Sequence, residues 1–151
     1  MRRDLTLETD LPHPPADVWR ALTDPAALSE WLMPVHGFAP VVGQRFQLRA
    51  KPMPGWDGVI EAKVLEAEEP YRLAYSWKAS RMRSATTVRW TLTALPDAAG
   101  TRLRLDHQGF EGPSGALLAF MHRGGWRKLV TRRLASHLAP HAGAAGPRKP
   151  V

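Results

Sequence analysis

The segment that most limits how this chain can fold is its last long apolar pattern, Pro113 to Leu138. After Gly124 and Gly125, the residues Trp126, Leu129, Val130, Leu134 and Leu138 recur at helical spacing, and Arg127, Lys128, Arg132 and Arg133 fill much of the remaining circumference. That is an amphipathic helix with one face to bury. Leu117, Leu118, Phe120 and Met121 also recur helically, but at about 100° per residue their stripe falls on nearly the opposite side. The pattern predicts a bend at the two glycines. The half after it should be gripped by the core, and the half before it should line or cover the mouth of any cavity.

A helix needs something to cover, and the middle of the chain supplies it. From Gly43 the period changes to two. Phe46 and Leu48 alternate with Arg45, Gln47 and Arg49; Ile60, Ala62 and Val64 alternate with Glu61 and Lys63, with Leu65 off pattern. Tyr71, Leu73, Tyr75 and Trp77 continue the pattern, then Val88, Trp90 and Leu92, then Leu103, Leu105 and His107. Leu5 and Leu7 alternate in the same way near the start. Such runs, separated by Pro- and Gly-rich turns, read as an antiparallel meander with one buried and one wet face. Between the first strand and the meander lie two short apolar patterns, Val18-Trp19-Leu22 and Leu28-Trp31-Leu32, each with a proline placed for the first helical turn (Pro15, Pro25). Met33 to Val42 and Lys51 to Gly58 read as connections. The expected architecture is α+β: a curved antiparallel sheet of about six strands, two short helices, and a long C-terminal helix packed across the sheet.

Size and charge bound the rest. The 151 residues suit one domain, taken as 1–141, followed by a flexible basic tail over 142–151. A hydrophobic content of 44% is that of an ordinary soluble protein. No apolar run reaches membrane-span length and no secretory signal is visible, so a cytoplasmic location is the default and no membrane partner is expected. With no cysteine there is no disulfide, thiolate nucleophile or cysteine-based metal site. The net charge of +7 could attract nucleic acid, but no basic cluster carries a recognised nucleic-acid motif, so nucleic acid is not the expected partner. The outward stripe of Arg72, Lys78, Arg89, Arg102 and Arg104 is read as a solvated sheet face.

Four stretches together resemble one known family. They are Pro14 to Pro25 (PPADVWRALTDP) with the following Leu28 and Trp31-Leu32, Glu69 to Trp77 (EPYRLAYSW), Gly100 to Phe110 (GTRLRLDHQGF), and Gly125-Trp126 followed by Leu129 and Leu134. In this order they resemble the SRPBCC superfamily, with its START or Bet v 1-like helix-grip fold, and most nearly the branch named after the activator of the heat-shock-protein-90 ATPase. The resemblance implies an apolar cavity between sheet and terminal helix that holds hydrophobic ligands such as lipids, polyketides or hormones. A minority of the superfamily are cyclases or related enzymes.

The residues expected to line such a cavity are Trp31, Phe46, Tyr75, Trp77, Trp90, His107, Phe110, Phe120, Met121 and Trp126. The plainer reading of any one aromatic is that it fills a solid core. His107 points inward by alternation with Leu103 and Leu105, and could orient a ligand or act as an acid or base. Its plainer reading, a structural histidine bonded to a neighbour, is preferred. His137 and His141 are four apart, a chelating spacing, but Pro140 lies between them, so no metal site is expected. No serine-nucleophile motif, phosphate loop or dinucleotide fingerprint occurs, and no cofactor is expected. The leading expectation is a small hydrophobic-ligand-binding protein, monomer or homodimer, that does no chemistry on its ligand. The alternatives are a cyclase- or hydrolase-like enzyme using His107, or a module that interacts with a chaperone.

Overall fold

Alternation of apolar and polar side chains builds the sheet. In the computed structural model, which describes residues 2–80, 82, 84–96 and 99–139 (side chains excepting 2, 3 and 112–118), seven strands form one antiparallel sheet. The strands are β1 (Arg2–Leu11), β2 (Val35–His36), β3 (Arg45–Arg49), β4 (Val59–Glu68), β5 (Arg72–Ala79), β6 (Thr86–Ala94) and β7 (Thr101–Glu111). Their order across the sheet is β1-β7-β6-β5-β4-β3-β2. The seventh strand is the two-residue β2, which pairs Val35 with Leu48 and His36 with Gln47 inside a segment expected to be loop. Two residues are too few for alternation to reveal. Residues 140–151, and with them His141 and the expected tail, lie outside the described residues, as do the side chains of Leu117 and Leu118.

Leu65, off pattern in the sequence, sits at a bulge. Val64 pairs with Tyr75 and Glu66 with Ala74, so Leu65 is the extra residue and is 42% exposed. Four of the five basic residues of the outward stripe are paired with acids of the same sheet. Arg102 pairs with Asp10, Arg104 with Glu8 and Asp106, Arg89 with Glu66, and Arg72 with Glu68.

The helices α1 (Pro15–Thr23) and α2 (Pro25–Trp31) start at their prolines and bury Val18, Trp19, Leu22, Leu28 and Trp31. Asp24 joins them through its backbone alone: its N–H bonds Arg20 O, its carbonyl accepts from Leu28 N, and no side-chain cap forms. The C-terminal helix comprises α3 (Gly112–Lys128), a π-helical turn (Leu129–Leu134) and α4 (Ala135–Leu138). It packs on β1 and β7, and its end meets α1 and α2.

The departure from α geometry is not where the glycines predicted it. α3 runs through Gly124 and Gly125 without interruption, and the irregular turn follows at Leu129. The spacing of the buried residues explains why. Trp126, Val130, Leu134 and Leu138 are buried at strict intervals of four. Four α-helical residues turn about 400°, so such a row drifts about 40° per step. The wider π turn rotates less per residue and returns the row to the core. Before the glycines, Ala119 is buried while Phe120 and Met121 are 75% and 60% exposed; after them, Trp126, Val130, Leu134 and Leu138 are all buried.

Candidate functional site

Most of the expected aromatics make one continuous core. Trp31 stands edge-on to Trp90 at 6.1 Å between ring centres, and Trp90 edge-on to Trp126 at 5.5 Å. Phe46 meets Tyr75 at 5.3 Å, and His107 meets Phe110 at 4.5 Å. Their polar atoms are paired within the protein. Trp31 Nε1–H donates to Ala21 O at 2.8 Å, and Trp90 Nε1–H donates to Tyr75 Oη at 3.0 Å. Burial pushes the Tyr75 phenol pKa well above its ordinary value, so it stays neutral.

His107 is completely buried, and both its ring nitrogens are used. Trp126 Nε1–H can only donate, so His107 Nδ1 must accept that bond, at 2.9 Å. The ring proton is therefore on Nε2, which donates to Thr86 Oγ1 at 2.7 Å. Thr86 Oγ1–H in turn donates to Trp77 O at 2.8 Å. The result is a one-way chain, Trp126 to His107 to Thr86 to Trp77, that ties the terminal helix to β7, β6 and β5. Protonation of Nδ1 would set two N–H groups against each other. Burial, reinforced by the nearby His122, lowers the His107 pKa to about 2. A neutral imidazole with both nitrogens engaged and no exposed surface holds structure together. It is not placed to exchange protons with a substrate.

An open apolar site lies beside this core. α3 covers the β1–β7 side of the sheet, which leaves its other flank facing β4 and β5. Between them is an apolar cleft of about 490 Å³. Ile60, Trp77 and Ala79 form its floor; Met121, His122, Gly125, Trp126 and Leu129 form one wall; Met53, Pro54, Gly55 and Trp56 form the other; Met33 and Met82 complete it. The second wall is a small hairpin in which Met53 and Trp56 exchange backbone hydrogen bonds of 2.9 Å. Gly58 anchors its base. Its φ is +85°, and a Cβ there would stand 2.3 Å from Ala50 O. No Asp, Glu, Lys or Arg lines the cleft among the described residues, and His122 is its one titratable group.

Of the ten residues expected at a cavity, Trp77, Met121 and Trp126 line the cleft. Trp31, Phe46, Tyr75, Trp90, His107 and Phe110 are buried in the core and do not line it. Phe120 belongs to neither. It lies about 100° around the helix from buried Ala119, so its ring points outward. The sequence reading missed the hairpin wall, because Lys51 to Gly58 looked like a mere connection. It also missed Met33 and Met82, which no periodicity marks. Four of the five methionines in the chain meet at this cleft, and their rarity elsewhere was the one signal available.

Among the described residues no group of three or more metal-ligating side chains comes together. His137 is paired with Glu30. No helix among them is long and apolar enough to cross a membrane.

The fold is shared with solved bacterial structures. Protein MLL2253 from Mesorhizobium loti is 33% identical, over 91% of this chain and 97% of that one, with a TM-score of 0.80. Mll3558 from Rhizobium loti is 26% identical, over 91% and 98%, with a TM-score of 0.74. CalU16 from Micromonospora echinospora, 24% identical over 93% and 78% with a TM-score of 0.72, shares the fold. A search of curated proteins returned no match. The profile of the family described as activator of Hsp90 ATPase homolog 1-like protein matches residues 12–139. With its helix-grip sheet and terminal helix, the chain belongs to that family, a branch of the SRPBCC superfamily.

Proposed function

We propose that this protein binds a small hydrophobic ligand in the cleft between α3, the Met53–Trp56 hairpin and the sheet, and does no chemistry on it. The observation that carries this reading is a cleft of about 490 Å³ with no Asp, Glu, Lys or Arg among its described lining. That volume is in the range of small-molecule sites. The tryptophan N–H groups of its walls are already paired: Trp77 with His122 at 3.3 Å, Trp126 with His107 at 2.9 Å, and Trp56 with Val59 O at 3.2 Å. A ligand would therefore meet ring faces and thioethers and would owe them no hydrogen bonds. Its recognition would rest on shape and apolar burial, at roughly 25 cal/mol per Å² before ordering costs.

Gly125 offers a clean test. It lines the cleft, and a Cβ added there meets nothing within 4 Å. Gly125→Leu should leave the helix intact while filling the site. Titration of Nile red, followed by its fluorescence, should show saturable binding to the native protein. The variant should bind about tenfold more weakly, the size of a ~1.4 kcal/mol steric penalty. Equal affinity in a folded Gly125→Leu protein would refute binding in this cleft.

A further inference from the structure

We propose that the cleft carries two methionine modification sites, Met53 and Met121, whose conversion to sulfoxides weakens ligand binding. The inference rests on the cleft's being the ligand site. Every methionine except Met1 lines it: Met33, Met53, Met82 and Met121 come from four separate segments, and the chain has no cysteine. Thioethers are thus the chain's only oxidisable sulfur, and they are gathered at one place.

They are not equivalent. Met53 on the hairpin and Met121 on α3 face each other's elements across the opening, and are 58% and 60% exposed. Met82 is buried, and its sulfur accepts a hydrogen bond from Ala79 N–H at 3.2 Å. Met33 is half-buried. A dissolved peroxide therefore reaches the two rim sulfurs first.

The chemistry needs no group from the protein beyond the thioether. The sulfur lone pair attacks one peroxide oxygen, an S–O bond forms and the O–O bond breaks. The second oxygen leaves with both protons as water, so sulfur loses two electrons and hydrogen peroxide gains them. The product is a polar, chiral sulfoxide where a flexible apolar side chain stood. Burying that dipole against an apolar ligand is unfavourable. Enzymatic reduction of the sulfoxide restores the thioether, so the change is reversible.

The experiment combines peptide mass mapping with Nile red titration, before and after graded hydrogen peroxide. Met53 and Met121 should each gain one oxygen before Met33 or Met82. Affinity should fall about tenfold as they do, and methionine sulfoxide reductases should restore it. In Met53→Leu/Met121→Leu, which keeps apolar volume, the same peroxide dose should leave affinity unchanged. Unaltered affinity once both rim residues are oxidised overturns the inference, as does an equal loss in the double leucine variant. An absence of Nile red binding before any peroxide overturns the binding reading, and this inference with it.

Discussion

Gly124→Ala is the substitution whose effect follows most directly from the structure. Gly124 lies inside α3, with α-helical residues on both sides, and is exposed. A Cβ built there meets nothing within 4 Å, so alanine brings no clash. Glycine in a helix interior costs about 0.8–1.0 kcal/mol relative to alanine, because the unfolded chain loses more freedom on folding. No opposing term is present, so the variant should be more stable by about that amount. For a domain of this size, a gain of ~1 kcal/mol raises Tm by about 2–4 °C. Urea unfolding followed by circular dichroism measures it: the midpoint should rise while the slope stays constant. Nile red affinity should not change, since Gly124 is not at the cleft. A loss of stability, or a change in affinity, would show that the glycine pair serves as a hinge, and the argument from an unbroken helix would fail.

Two further outcomes test the core and the cleft wall. The His107 pKa is depressed on folding, so the unfolded chain binds its proton first. The contribution of this group is complete above about pH 6.5 and is lost as pH falls toward about 2, with a slope of about 1.4 kcal/mol per pH unit. Unfolding free energies at pH 7.5 and 5.5 should differ by about 1.4 kcal/mol more in the native protein than in His107→Gln, and equal pH dependence would refute a neutral buried imidazole. Gly58→Ala should destabilise by at least about 1–2 kcal/mol, because φ is +85° and the Cβ would collide with Ala50 O. It should also weaken Nile red binding by displacing the hairpin wall; native-like melting and binding would show that the turn is not constrained as described.

Periodicity in the sequence determined the helices and every strand but the two-residue β2. Alternation through Phe46, Tyr75, Trp90 and Leu105 needs only a two-residue repeat, and the prolines at 15 and 25 mark helix starts by their missing N–H. The inward direction of His107 was legible for the same reason. Its role was not, because its partners Thr86 and Trp126 belong to other elements and are brought near only by strand pairing and helix packing. The basic stripe looked like a single-sign patch until cross-strand register set Asp10, Glu8 and Glu66 beside its arginines. The apolar rows at either side of Gly124 announced that one helix has two kinds of neighbour, but where it departs from α geometry depended on fitting Trp126, Val130, Leu134 and Leu138 to one surface. The cleft was decided by tertiary structure alone. Met33, Met53, Met82 and Met121 share no period and no segment, and only the offset of α3 toward β1 and β7 leaves the space in which they meet.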